Sequence, residues 1–243
     1  MSAPWGALLV EGGRVTLYAV AGEITAHDFA SVADATSRYG IPAARLITLD
    51  DAQRSVPPVA TLPGRPGSLG AVQQASPAAV LPAAARVLIA GALVGQPDWD
   101  GIMVLPDASA THWVHVCARE IVSFQGAATG RLAVALGSQR DAFDGGALSD
   151  TMSRPERLAA QVNAASQTGG GGGGGGAVLG HLLGAELASM KAYWLGQEVR
   201  IIGDPAPYAD ALASQGVAAT TVPRAQAWQA GLTALGQAAG FTG

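Results

Sequence analysis

The chain has 243 residues, 49% of them apolar and only 13% charged, with a net charge of −4. That balance excludes a disordered chain, which needs low hydrophobicity and high charge, and the scattered Lys and Arg exclude the basic stripe of a nucleic-acid surface and a basic membrane-binding helix. No apolar run approaches the roughly 20 residues of a membrane helix. The start of the chain shows no basic segment followed by an apolar one, and the single cysteine, Cys117, cannot form an internal disulfide. The reading is a cytoplasmic α/β protein whose partner is a small molecule or another chain, a homo-oligomer included.

In chain order, Ala7-Leu8-Leu9-Val10, the turn Glu11-Gly12-Gly13-Arg14 and Val15 to Val20 predict a hairpin over 5–20. Phe29, Val32 and Ala33 on one face predict a helix over 26–39, capped by Thr25 or Asp28. Leu46 to Leu49 is a short strand ended by Asp50-Asp51. Prolines and glycines from Ser55 to Pro82 predict a long surface connection. A boundary there gives two domains, a reduced N-terminal one over 1–82 and a larger one over 83–243.

Residues 83–95 predict an apolar helix, and 101–124 an antiparallel meander: Ile102 to Leu105, Trp113 to Cys117, Ile121 to Phe124. A helix starts near Thr129-Gly130. The glycine run Gly169–Gly176 reads as a mobile loop, since it lacks the Lys and hydroxyl of a phosphate loop. In the helix from Ala177 to Leu195, Leu179, Leu182, Leu183, Leu187, Met190 and Trp194 form one buried stripe. A strand over 198–204, a helix over 207–215, a strand over 217–222 and a helix over 225–239 predict a parallel strand pair with a crossover. His112 and His115 lie three apart at a strand, on opposite faces, which makes a poor metal pair. Cys117 reads as a small buried apolar residue.

Four segments carry a family resemblance. His181-Leu182-Leu183-Gly184-Ala185-Glu186-Leu187-Ala188-Ser189-Met190-Lys191 is very similar to the pattern L-L-I-G-A-E-V-A-S-M, then Lys or Arg, of the 2-keto-3-deoxygalactonate kinases. Ala227-Trp228-Gln229-Ala230-Gly231-Leu232 resembles their final A-F-Q-A-G motif, and Ser123-Phe124-Gln125 with Thr129-Gly130 resembles S-F-x-T-x-M-T-G-E. Val104-Leu105-Pro106 with His112-Trp113-Val114 resembles V-L-P-G-T-H-S-K-W-V. The order and spacing agree from about Gly91 to Gly240.

The resemblance implies an actin-like sugar-kinase fold of two ribonuclease H-like lobes, the N-terminal one reduced. It also implies ATP and Mg2+ as cofactors and phosphorylation of a sugar acid, 2-keto-3-deoxygalactonate, at its 6-hydroxyl. It places Gly6, Thr129, Gly130, Gly203 and Asp204 at the nucleotide and Glu186 at the substrate, and leaves Asp107 as the first candidate for the catalytic carboxylate. No metal ligand set is read from the residues.

Several family positions differ. Pro4 stands where the family's D-W-G has its Asp, Ala7-Leu8 replace its hydroxyl residues, His112 replaces a Lys and Arg131 a Glu. Ala84-Ala85-Arg86-Val87-Leu88 replaces the acidic R-G-E-E-T-Q, and Pro207 replaces an Arg. Phosphoryl transfer needs held phosphates, donors for developing charge and a carboxylate near the attacking hydroxyl. Asp98, Asp100, Asp107 and Glu186 are the acids that could rebuild such a site. A relative that binds ligand or partner without turnover is therefore the alternative, and a scaffold role a third reading.

Overall fold

The computed structural model of the chain describes residues 4–64, 67–107, 109–138, 142–168 and 174–241. The chain divides into two compact units, the first comprising 1–99, 117–123 and 224–243, the second 100–116 and 124–223. The expected boundary at residue 82 falls inside the first unit.

The first unit opens with a hairpin of β1 (Trp5–Glu11) and β2 (Arg14–Ala21), as the sequence predicts. The predicted helix over 26–39 begins instead as a strand, β3 (Glu23–Phe29), which pairs along its whole length with β2. Helix α1 spans only Val32–Tyr39. Its cap is Ser31, whose Oγ accepts from the Asp34 amide at 3.1 Å, and Gly40 at φ 61° ends it.

Strand β4 (Leu46–Ser55) runs on past Asp50-Asp51 through an irregularity in its pairing between Asp50 and Arg54. The stretch read as a surface connection holds β5 (Val59–Ala60), β6 (Ser68–Ala75) and β7 (Ala78–Leu81). The described prolines of this stretch fall between the strands, so they punctuate the sheet without removing ladder donors. The first sheet has the order β3-β2-β1-β4-β6-β7, with β1, β4 and β6 mutually parallel.

On one face of that sheet lie α2 (Ala83–Ala92) and α9 (Arg224–Ala238). Trp5, Ile47, Leu69, Val87, Leu232 and Leu235 form their shared core. Glycine brings the two helices together: a Cβ on Gly91 would lie 1.8 Å from the Ala227 carbonyl oxygen, and one on Gly231 2.0 Å from that of Val87. Asp51 Oδ1 takes the first amide of α2, that of Ala83, at 2.7 Å. Arg86 is buried and donates to the carbonyls of Thr61 (3.1 Å), Gly70 (2.7 Å) and Ala60 (2.8 Å). Burial pulls its guanidinium down to about 10.

The second sheet has the order β12-β11-β8-β9-β10-β5. The predicted meander is β8 (Asp100–Leu105), β9 (Thr111–Cys117) and β10 (Glu120–Ala127), and the early part of β10 pairs with β5. The predicted parallel pair is β11 (Val199–Ile202) and β12 (Ala219–Val222), and β11 is also parallel to β8. Helices α3 (Thr129–Ala135), α4 (Gly145–Ser153), α5 (Leu158–Thr168), α6 (Gly174–Ser189), α7 (Lys191–Trp194) and α8 (Tyr208–Ala213) complete the second unit.

The whole predicted stripe on α6 and α7 is buried, in one core with Ile102, Val104, Trp113 and Ile201. Of the glycine run, Gly174–Gly176 start α6, while the predicted mobility of its first part lies outside the described residues. Both sheets thus share one plan, three antiparallel strands followed by parallel ones, which is the ribonuclease H-like arrangement.

Candidate active site

Because β8, β11 and β12 are parallel, the chain leaves all three at one edge of the second sheet. The short link from β8 starts β9 at the same edge, and the meander returns β10 to it. Open α/β sheets bind ligands outside such carboxyl ends. Five expected site residues therefore share this edge: Asp107 after β8, Thr129 and Gly130 after β10, Gly203 and Asp204 after β11.

Asp107 is exposed, and its Oδ1 accepts from the Ser109 amide at 3.2 Å and the Ser109 hydroxyl at 3.4 Å. Asp204 is exposed as well, with Oδ1 accepting from the Ala206 amide at 3.0 Å. Gly203 stands at φ 125° with open space where a Cβ would be, and its amide donates to the Val222 carbonyl at 3.0 Å. A side chain is strained at that φ, which explains glycine there.

Glu186 is placed otherwise. Its carboxylate is buried behind the edge, not presented to a substrate. Trp113 Nε1 donates to Oε1 at 2.7 Å and the Tyr208 hydroxyl to Oε2 at 3.1 Å. The Thr129 hydroxyl is a further partner, and Thr111 Oγ1 lies 2.5 Å from the Tyr208 hydroxyl. Burial raises the Glu186 carboxyl above its ordinary range, opposed by the hydrogen bonds from Thr129, Trp113 and Tyr208. Its partners are these three side chains. One carboxylate thus ties α6 to β9, α3 and α8, whose starts form the edge.

Gly6 stands apart from this cluster. It lies in β1 among apolar side chains, where an added Cβ would come within 2.8 Å of Leu17 Cδ1 and 3.1 Å of Leu46 Cδ2. Its absent side chain serves packing, so the expectation of a nucleotide contact finds no polar surroundings there. The first unit's counterpart of the turn bearing Asp107 is the β1–β2 turn, Glu11 to Arg14.

The other acids and histidines have local roles. His115 Nε2 lies 3.1 Å from Asp100 Oδ1, His112 is buried, and Cys117 is half-buried. Among the described residues no group of three His, Cys, Asp or Glu could hold a metal ion. No described helix is long and apolar enough to cross a membrane. Sequence reasoning missed Thr111, Trp113 and Tyr208; the signal was there only for Trp113, inside a family motif.

The sequence pattern of the 2-keto-3-deoxy-galactonokinase family matches residues 85–235, well over half of the chain. The chain belongs to that family. Its matched span contains every element of the carboxyl edge. Among solved structures, a Sinorhizobium meliloti protein assigned as a 2-dehydro-3-deoxygalactonokinase superposes with a TM-score of 0.76. The two are 18% identical over 96% of this chain and 98% of that one. The Acidaminococcus fermentans (R)-2-hydroxyglutaryl-CoA dehydratase component A superposes with a TM-score of 0.50 at 11% identity, over 98% of this chain and 100% of that one. No curated protein matches by sequence. The fold is the α/β fold of actin-like ATPases and sugar kinases, and the family supports a carbohydrate kinase acting on a sugar acid.

Proposed function

We propose that this family member is an ATP-dependent kinase that phosphorylates 2-keto-3-deoxygalactonate at its 6-hydroxyl. The observation that carries the reading is the coincidence of the family match with the carboxyl edge where Asp107, Thr129, Gly130, Gly203 and Asp204 gather. The cytoplasm, which supplies ATP, is its expected compartment.

The edge suits a nucleotide. The backbone at Gly203 is unobstructed, and Thr129-Gly130 and Gly203-Asp204 flank the same strand ends. Without a cage of three acids among the described residues, Mg2+ would be carried on phosphates with one or two protein carboxylates, as this ion prefers. Asp204 is the exposed acid of the edge that would hold it, which leaves Asp107 for the attacking hydroxyl. When bound, Mg2+-ATP supplies the phosphoryl group and offsets its charge.

The remaining work falls to side chains of the protein. Asp107 would accept the proton of the attacking hydroxyl as that oxygen bonds to the γ-phosphorus and the bond from that phosphorus to the departing ADP breaks. Glu186 acts at a distance, fixing Thr129 and Tyr208 so that the edge keeps its shape. Arg131, where the family has Glu, stays protonated and contributes charge, not a base.

A coupled ADP-release assay with 2-keto-3-deoxygalactonate, ATP and Mg2+ tests the reading. Turnover is expected with the intact protein, and Asp107→Asn should lower kcat by about 10²–10⁴-fold with KM little changed, the range for a general base. Binding of both ligands without ADP release would instead identify a non-catalytic relative, the reading to which Pro4, Ala7 and Leu8 point.

A further inference from the structure

β3 ends the first sheet with one side unused. It pairs with β2 along all seven of its residues, from Glu23 opposite Ala21 to Phe29 opposite Val15, without a bulge. Among the described residues no other backbone group bonds to it. An antiparallel ladder uses the backbone groups of alternate residues, so the remaining ones point out from the sheet in a row. The other edge strands, β7, β5 and β12, have only four, two and four residues. Long bare edges recruit further strands, and proteins blunt them with Lys, Pro, bulges or a covering element. Glu23-Ile24-Thr25-Ala26-His27-Asp28-Phe29 has no Lys, no Pro and no bulge. Of its two acids, Asp28 is engaged by the Thr16 hydroxyl at 2.8 Å.

Helix α1 gives this edge an apolar shoulder. Tyr39 lies over β3, its ring centroid 4.8 Å from that of His27 and 5.9 Å from that of Phe29. It is 36% exposed, and Val32, on the same helix face two turns earlier, is 41% exposed. A standard interface buries about 800 Å2 per partner, more than a strand edge offers alone, and the shoulder supplies further apolar area.

The residue pattern of β3 selects the occupant. Two copies related by a two-fold axis normal to the sheet pair their edges antiparallel, and side-chain alternation allows that axis only at a residue. At Thr25 the axis sets Glu23 opposite His27 of the second copy, twice by symmetry, with Ile24 opposite Ala26 and Thr25 opposite itself. Opposite charges, apolar pairs and Thr–Thr pairs are favourable cross-strand neighbours. An imidazole donates an N–H to a carboxylate whether neutral or protonated. An axis at Ala26 would set Asp28 against Ile24, one at His27 would bring the two imidazoles together, and one at Ile24 would shorten the pairing. We infer that β3 joins β3 of a second copy of this chain about an axis at Thr25, so that two six-stranded sheets become one continuous sheet.

Sedimentation equilibrium of the intact chain, Glu23→Lys, His27→Glu, their double variant and Thr25→Lys tests this. Urea midpoints taken below the dimerisation range check that each variant folds. The intact chain should dimerise. Each single charge change removes the complementary pair at both places and should weaken dimerisation by about tenfold or more. The double variant exchanges the two partners and should restore it, which a merely damaged fold would not do. Thr25→Lys, at an exposed position, sets two ammonium groups together on the axis and should leave monomers with the native urea midpoint. An intact chain that stays monomeric at about 100 μM overturns the inference. A dimer that all three single variants leave intact overturns it too, by placing the interface elsewhere. A double variant no better than its parents rules out this register.

Discussion

Glu186 shows how one residue type acquires its function from surroundings. A carboxylate removed from water is destabilised in its charged form, and the donors from Thr129, Trp113 and Tyr208 only partly offset this. Its pKa is therefore raised on folding, so its contribution to stability is complete below about 4.5, the ordinary glutamate value, and is lost as pH rises through the folded value. Glu186→Gln keeps the shape but presents two donor hydrogens where the protonated acid presents one, and should destabilise the protein by about 1–3 kcal/mol at low pH. Urea unfolding of both proteins across pH should show the advantage of the native residue shrinking as pH rises. An advantage that grows would mean the donors outweigh burial. The sequence placed Glu186, Thr129 and Asp107 on their elements through family motifs. It could not say which atoms meet, because Trp113 and Tyr208 lie 73 and 22 residues from Glu186. Thr25 and His27 were less legible still. They read as a helix cap and a helical residue until β3 is known to be a strand.

At the scale of elements, glycine explains two of the family motifs without any ligand. In α9 the Ala227 to Gly231 segment packs on Val87 and Gly91 of α2. In α6, a Cβ on Gly184 would come within 2.4 Å of the Leu148 carbonyl oxygen on α4, and one on Gly180 equally close to that of Asp144. Gly231→Ala must push backbone from backbone, so it should cost about 3 kcal/mol, at the upper end of overpacking substitutions. Gly12→Ala, beside open space, controls for general effects, its own cost being only the strain of φ 56°. Equal urea midpoints for the native protein and Gly231→Ala would show that the helices separate freely. Elements with a single strong period were legible: β8 to β10 by alternation, α6 by its stripe. The stretch from 55 to 82 was not, because its prolines sit at strand boundaries and mask strands of two, eight and four residues. The helix predicted from 26 failed for a related reason: Phe29, Val32 and Ala33 fit a helical face, but β2 offers residues 23–29 a full row of backbone partners.

For the whole molecule, chain order and spatial order disagree. The first unit takes its last helix, α9, from the end of the chain, and Leu232 and Leu235 from that helix complete the core around Trp5 and Val87. A fragment of residues 1–99 should therefore lack a cooperative unfolding transition. A peptide of residues 224–241 added in trans should restore one, read by circular dichroism against urea. A fragment that unfolds cooperatively alone would show that α9 is dispensable to the core. The same arrangement sets a schedule during synthesis. The ribosome delivers β1 to β7 and α2 first and α9, the other helix on that face, last, so the opening sheet must wait, that face only partly covered, while the 117 residues of the second unit emerge between. The second unit, whose strands and helices are all made before residue 224, can finish first. Nascent chains with an uncovered apolar sheet face are the ones most exposed to misassembly and chaperone capture, and here that interval is written into the position of α9.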